Sequence, residues 1–482
     1  MPARPPRTDL PDGAGRRPPE ARPAGRWSRL RSRRTAESEP LPLVVIGGGA
    51  AGLSLADRLV GHGPGPGQGP GPGPGPEGHR PRPWLDLTVV EAPEGPLRPP
   101  PRTWCFWDDG PGEYEQAVTA QWSRLRITGP DGRAVEVEPA PLRYRMLRST
   151  AFEELVHERL GAHPGARILR ATVHRVQTRP DGRPGARVVA TDPAGRPLIL
   201  DARYVFDSRP PVRPPLARTA LLQHFRGWFV HTDRPRFDPG TAHLMDFRVP
   251  QPAHGLAFGY VLPLAADRAL VEYTEFSRRP LTTAGYEHAL HDYTHRILGL
   301  GALTVEDVEQ GVIPMTDGRF PRRAGPAHVR IGTAGGATRP ATGYTFSAVQ
   351  RQSRAIAAAL GRPRASGRNA PAPAPHRRRA LAMDAVLLRA LDTGRIDGPR
   401  FFTDLFRRTP AAQVLRFLDG RSTPAEDLRI GLRCPVGPML RCAAELPLLP
   451  RRALPGAGPE PAPGPEPAPA PGPAPDASEE NR

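Results

Sequence analysis

A two-domain α/β fold is what this sequence predicts: a Rossmann-type nucleotide-binding domain interrupted by an antiparallel-sheet domain, with helices closing the chain. Three observations predict it. A β-branched run enters three glycines and an Ala/Leu-rich helical pattern at 43–59; a second strand, Gly-rich turn and helix recur at 329–360; and the stretch 221–276 between them carries strand signals without a helical period.

In the first unit, Leu43 to Ile46 reads as a strand, and Gly47, Gly49 and Gly52 occupy the G-x-G-x-x-G positions before the helix from Leu53 to Leu59. Gly47 is needed for the tight turn, Gly49 for close approach of a pyrophosphate to the main chain, and Gly52 for packing of helix on strand. The helix N-terminus then offers free N–H groups and a partial positive charge to the phosphates. The partner of this motif is an acid at the end of the next strand, placed to bind a ribose hydroxyl; Glu91 closes the strand from Leu85 to Val90. An ordinary strand-end carboxylate is the alternative reading of Glu91. The excess spacing between Gly52 and Glu91 is a Pro-Gly repeat at 62–79, which forms neither helix nor strand and reads as a surface insertion.

Residues 100–150 read as an aromatic-rich loop, with Trp104, Phe106 and Trp107 as packing residues, followed by a helix from Thr150 to Leu160 and strands 168–177, 186–190 and 203–206. From 221 the chain changes to strands alone. The last two are joined by a hairpin-length connection at 264–268, and a period of two sets Leu270, Glu272, Thr274 and Phe276 on one face. A carboxyl among such neighbours is expected to titrate high and stay available as an acid. In the helix from Tyr286 to Leu298, His288, His291 and His295 fall opposite the stripe of Tyr286, Leu290, Tyr293 and Ile297, so no metal site is expected there. The stretch from Gly311 to Met315 leads back to the nucleotide domain. There Gly332, Gly335 and Gly336 form the second turn before the helix from Phe346 to Leu360. Two such turns about 290 residues apart suit a cofactor extended between them, which favours FAD over NAD as the tightly held nucleotide.

The expected organisation is a tail at 1–40, a nucleotide domain at 41–215 and 311–361, a sheet domain at 216–310, a linker at 362–378, helices at 379–449 and a tail at 450–482. The tails are expected to be disordered, because Pro and Gly (66 and 51 residues) concentrate there and in the 62–76 and 362–375 stretches. The net charge of +18 comes from arginine alone, with no lysine, and no nucleic-acid-binding pattern accompanies it, so nucleic acid is not an expected partner. Three scattered cysteines fit a reducing cytoplasm, and no apolar run reaches the ~18 residues of a membrane span.

Several motifs together carry a family resemblance. The sequence GGGAAG at 47–52, RTWCFW at 102–107, MDFR at 245–248, YVLP at 260–263, LVEYT at 270–274, GVIPM at 311–315, GTAGG and RPATGYTF within 332–346, MDAVLL at 383–388, and FFTDLF and VLRFLDG within 401–420 resemble the flavin-dependent lycopene cyclases of bacteria and plants. The resemblance implies a p-hydroxybenzoate-hydroxylase-like fold, bound FAD used in its reduced form, and NAD(P)H as the reductant. It also implies a non-redox cyclisation of lycopene, or a related linear carotenoid, to β-rings. It places Glu272 as the acid that protonates the terminal double bond, with Asp246 a second candidate unless it pairs with Arg248, and Trp228, Phe247 and Tyr260 as cation–π partners. Two departures stand out: Thr333 replaces the Asp that many FAD enzymes of this fold carry, and Tyr273 stands where plant relatives carry a second Glu. A membrane-dissolved substrate implies peripheral association with the cytoplasmic membrane. The competing reading on this fold is an FAD-dependent monooxygenase or prenyl-chain reductase.

Overall fold

The strand Leu41–Ile46 lies at the centre of a five-stranded parallel sheet because it can be buried on both faces: Leu43, Val44, Val45 and Ile46 are all core residues. Leu85–Glu91 pairs with it on one side and Tyr204–Asp207 on the other, with Leu43 opposite Leu87 and Tyr204; Ala166–Arg170 and His328–Arg330 complete the sheet. This computed structural model describes residues 41–61, 85–361 and 369–453, so the expectations for 1–40, 62–79, the first part of the 362–378 linker and the 454–482 tail lie outside the described residues.

The helices that follow the two Gly-rich turns, Ala50–Leu59 and Phe346–Leu360, lie against each other. Gln350 joins them, donating to the Ser54 hydroxyl at 2.9 Å and accepting from Arg58 at 2.8 Å. The expected strand 168–177 is broken at Ala171. Its first half enters the parallel sheet, and Thr172–Thr178 turns into a separate antiparallel sheet with Ala186–Thr191 and Pro197–Ala202.

The second domain rests on a seven-stranded sheet. Its order is Leu303–Thr316, Ala220–Thr232, Arg268–Ser277, Leu256–Pro263, Thr241–Asp246, Arg124–Thr128 and Ala134–Val137. All neighbours are antiparallel except Thr241–Asp246 with Arg124–Thr128. Two sequence expectations are corrected here. The GVIPM stretch at 311–315 does not return the chain to the nucleotide domain: it ends the long edge strand of this sheet, and the return comes at His328–Arg330. Nor is 100–150 a loop. Thr103–Asp108, Val118–Trp122 and Arg143–Arg148 form a three-stranded sheet, and two further strands from this region extend the seven-stranded one.

The Thr103–Asp108 strand uses its aromatics on both faces. Trp104 and Phe106 pack with the nucleotide-domain core, where both meet Phe346, while Trp107 faces the other core and stacks near Tyr144. It is the partition between the two cores. The C-terminal helices Arg378–Asp392, Gly398–Arg408 and Ala411–Leu418 bury Leu387, Leu391, Phe402, Phe406, Val414 and Leu418 over the second core. They are fastened to the second turn by a fully buried ion pair, Arg339 to Asp384 at 2.7 Å.

Candidate active site

The period of two in Arg268–Ser277 points Leu270, Glu272, Thr274 and Phe276 into one cavity between the domains. Phe258 and Tyr260 continue the wall from the paired strand, where Tyr260 stands opposite Glu272. Thr103 and Cys105 come from the partition strand, 341–346 from the loop after the second Gly-rich turn, and Phe402 and Leu418 from the helical roof. The lining combines hydrocarbon and aromatic side chains with hydroxyl groups from threonines and tyrosines, one amide (Gln223) and two carboxyls (Glu272 and Glu309).

Glu272 is 8% exposed, and its single hydrogen bond is from the Thr274 hydroxyl at 2.5 Å. Burial pushes its carboxyl up to about 8, the neighbouring Glu309 carboxylate adds to the rise, and the Thr274 hydrogen bond opposes it. Glu272 is therefore protonated at neutral pH. The Tyr144 and Tyr260 hydroxyls bond each other and burial holds both well above the usual phenol range, while the Cys105 thiol is pushed up to about 12, again by burial. Burial thus keeps the two phenols and the thiol around Glu272 in their neutral forms.

Asp246, the second expected acid, stands elsewhere. Both carboxylate oxygens are taken by Arg248, at 2.9 and 2.5 Å, the Tyr293 hydroxyl donates at 3.2 Å, and the side chain does not line the cavity. Of the aromatics expected around the acid, Tyr260 alone lines the cavity. Phe247 packs behind it against Phe258, and Trp228 is on the opposite face, because its cross-strand partner is Val271 rather than Glu272. Tyr273 also faces away and donates to Glu275.

The residues expected to hold a dinucleotide converge at the C-terminal ends of the parallel strands. Gly47 has φ +103°, and a Cβ on Gly52 would lie 1.9 Å from the Gly47 carbonyl oxygen, whereas one on Gly49 would meet nothing. Gly49 therefore leaves its main chain open to a ligand, beside a helix start with no side-chain cap. A Cβ on Gly332, φ +61°, would come 2.6 Å from that of Ala51, which brings the second turn against the first helix; Gly335 and Gly336 close the same turn. Glu91 accepts from His157 at 2.7 Å through Oε1, while its Oε2 is buried without a hydrogen-bond partner. That oxygen has the Arg98 guanidinium at 3.9 Å but no hydrogen bond, and a ribose hydroxyl would supply one, so the site fits an adenine dinucleotide. The Thr333 hydroxyl is engaged with that of Thr338 at 3.0 Å. Replacing Gly52 with alanine is expected to force the turn apart and yield protein without bound cofactor, read from the flavin absorbance of the purified chain; stoichiometric flavin in that variant would contradict this packing.

A family model described as lycopene cyclase protein matches residues 42–444. The chain belongs to that family. A lycopene beta-cyclase of Pseudescherichia vulneris is 27% identical over 273 residues, a stretch covering 55% of this chain and 64% of that protein. Among solved structures, a flavoprotein/dehydrogenase from Cytophaga hutchinsonii superposes with a TM-score of 0.53 at 12% identity, over 85% of this chain and 99% of the other. A geranylgeranyl bacteriochlorophyll reductase-like protein from Thermoplasma acidophilum gives 0.50, also at 12% identity, over 85% and 96%. These structures show the fold: a mixed α/β architecture shared with flavin enzymes.

The lycopene cyclase match leaves one site residue unannounced. Glu309, on the edge strand, is 7% exposed, lines the cavity and accepts from the Thr103 hydroxyl at 2.7 Å. Its acidic neighbours Glu306 and Asp307 are exposed. Counting back in twos from Ile313, which also lines the cavity, is the signal that reaches Glu309.

Proposed function

We propose that this chain is a lycopene beta-cyclase, holding FAD at Gly47, Gly49, Gly52, Glu91, Gly332, Gly335 and Gly336 and closing the ends of linear lycopene, or a related linear carotenoid, into β-rings. The observation that carries the reading is Glu272: a protonated carboxyl facing an aromatic-walled cavity that adjoins a dinucleotide site. Family membership and the likeness to a lycopene beta-cyclase support it.

In this mechanism the Glu272 carboxyl gives its proton to the terminal double bond of the polyene. The neighbouring double bond attacks the resulting tertiary cation, and a ring proton is then lost. Phe258, Tyr260 and Phe276 offer ring faces to the cation, and the apolar roof of Phe402 and Leu418 keeps water away, so that the cation closes a ring instead of becoming an alcohol. Reduced FAD, formed with NAD(P)H, supplies negative charge that stabilises the cation when bound. The product is an isomer of the substrate. The reaction therefore consumes no NAD(P)H beyond priming, whereas a monooxygenase or a prenyl-chain reductase on this fold consumes one equivalent per turnover. Substrate-dependent NAD(P)H oxidation at a 1:1 ratio to product would overturn the cyclase reading.

The substrate is membrane-dissolved, and among the described residues no helix is long and apolar enough to cross a bilayer. The helices Pro424–Arg433 and Val436–Glu445 expose Leu428, Leu432, Val436 and Leu440; their acids Glu426, Asp427 and Glu445 are each paired with an arginine from outside these helices, and their own arginines are Arg429, Arg433 and Arg441. An apolar surface rimmed by cations suits the interface of an anionic membrane on the cytoplasmic side. Replacing Leu428, Leu432 and Leu440 together with serine is expected to cut flotation with anionic vesicles at least tenfold while leaving the melting temperature unchanged. Equal flotation of both proteins would exclude this surface.

A further inference from the structure

Glu272 and Glu309 stand on strands separated by one other, Ala220–Thr232, and in the registers of both pairings the residue between them is Gly227. A Cβ built on Gly227 would lie 2.8 Å from the Leu270 Cδ1, 3.5 Å from the Glu272 Cβ and 3.5 Å from the Glu309 Cγ, so the two glutamate side chains share a face, with Leu270 packed over the glycine between them. Both line the cavity. The second carboxylate that Tyr273 does not supply thus comes from a different strand.

We propose that Glu309 is the general base of the cyclisation, the group that removes the ring proton once the ring has closed. This role rests on the cyclase reading of the same cavity. The proton balance closes: the Glu272 O–H bond breaks as the terminal C–H bond forms, the ring C–C bond forms at the cation, and the adjacent ring C–H bond then breaks. That C–H electron pair makes the ring double bond, and the proton goes to the Glu309 carboxylate. Transfer of this proton from Glu309 to Glu272 restores the starting state with no net gain or loss of protons or electrons.

The surroundings separate the two carboxyls in the sense that the roles require. Glu309 faces the Thr103 hydroxyl and the Cys105 thiol of the partition strand, with Arg102, Arg148, Asp307 and Glu272 as its charged or titratable neighbours. Burial raises its carboxyl, while the Thr103 hydrogen bond and the Arg148 charge pull it back toward the ionised form. Glu272 has Thr274 alone to oppose burial, and the Glu309 charge raises it further. Burial raises both carboxyls, and Glu309 differs in having a hydroxyl donor and a nearby cation that favour its ionised form.

The test uses the full chain loaded with reduced FAD and lycopene in phospholipid vesicles, with kcat and KM measured across pH 5 to 9. Glu309→Gln is expected to lower kcat at least 100-fold with KM within threefold of the parent, a loss typical of a missing base. Glu309→Asp is expected to recover at least tenfold over the glutamine variant. Thr103→Val, which keeps the carboxylate and removes its donor, is expected to shift the acidic limb of the kcat profile to higher pH. A Glu309→Gln enzyme cyclising within threefold of the parent would overturn the base assignment. So would aspartate and glutamine variants equally inactive and equally depleted of flavin, the mark of a merely structural residue. A parent chain that forms no ring at any pH would instead overturn the cyclase reading beneath it.

Discussion

Replacing Glu272 with glutamine is expected to abolish ring formation, with at least a thousandfold loss in kcat, while leaving the flavin content and the fold intact. The amide keeps the shape and can still accept from the Thr274 hydroxyl, but it has no proton acidic enough to convert an alkene to a tertiary cation. The parent enzyme should lose activity as pH rises through about 8, where Glu272 loses its proton. The same titration affects stability with a definite sign. The folded state holds this proton at a higher pKa than the unfolded chain, whose carboxyl stays near the ordinary glutamate value of about 4.5. Folding stability therefore falls as pH rises between about 4.5 and about 8, by up to ~1.4 kcal/mol per unit from this group. Glu272→Gln removes that slope. The variant should melt like the parent near pH 4.5 and above it at pH 9. A variant less stable than the parent at pH 9 would show that the carboxyl is held by interactions that stabilise its charge.

The second large effect is expected at Asp384. Its side chain and that of Arg339 are each at most 2% exposed, and Nη2 of Arg339 also reaches the Phe417 carbonyl, while Nε and Nη1 have no hydrogen-bond partner. Asp384→Ala leaves a buried guanidinium without its counter-charge, at a cost of about 3–5 kcal/mol, where removing both charges together costs far less. Asp384→Ala should therefore lower the melting temperature sharply, and the double replacement Arg339→Met with Asp384→Leu should recover most of the loss. The pair joins Arg378–Asp392 to the segment whose Ala341, Thr342, Gly343 and Tyr344 wall the cavity, so catalytic activity should follow stability in the single variant. A single variant as stable as the parent would mean that water or a neighbouring carboxylate already screens Arg339.

The nucleotide domain was legible because its signals are local. Leu43 to Ile46 is apolar throughout, the three glycines follow at once, and Gly52 is held small by the Gly47 carbonyl oxygen five residues before it. The Glu272 face was legible for the same reason, since alternation along a single strand decides which side chains travel together. What sequence could not show was register between distant strands. Trp228 and Tyr260 are equally aromatic and lie in equally apolar strands, but pairing sets Trp228 opposite Val271 and Tyr260 opposite Glu272, so one ring faces the cavity and the other does not. Arg124–Thr128 and Ala134–Val137 are short and half polar, and they become strands because the sheet more than 100 residues later offers them an edge. Glu309 was hidden by its acidic neighbours, which are exposed. It alone among them turns inward, beside a glutamate from a strand 37 residues earlier.

The most direct measurement is the pigment made when the full chain is expressed in a bacterial host that accumulates lycopene. Extracted carotenoid of unchanged mass, with absorption moved to shorter wavelength as ring closure twists the terminal double bonds out of conjugation, is the result expected. Unaltered lycopene beside soluble, flavin-loaded protein would contradict the cyclase assignment, as would a pigment that has gained oxygen or hydrogen.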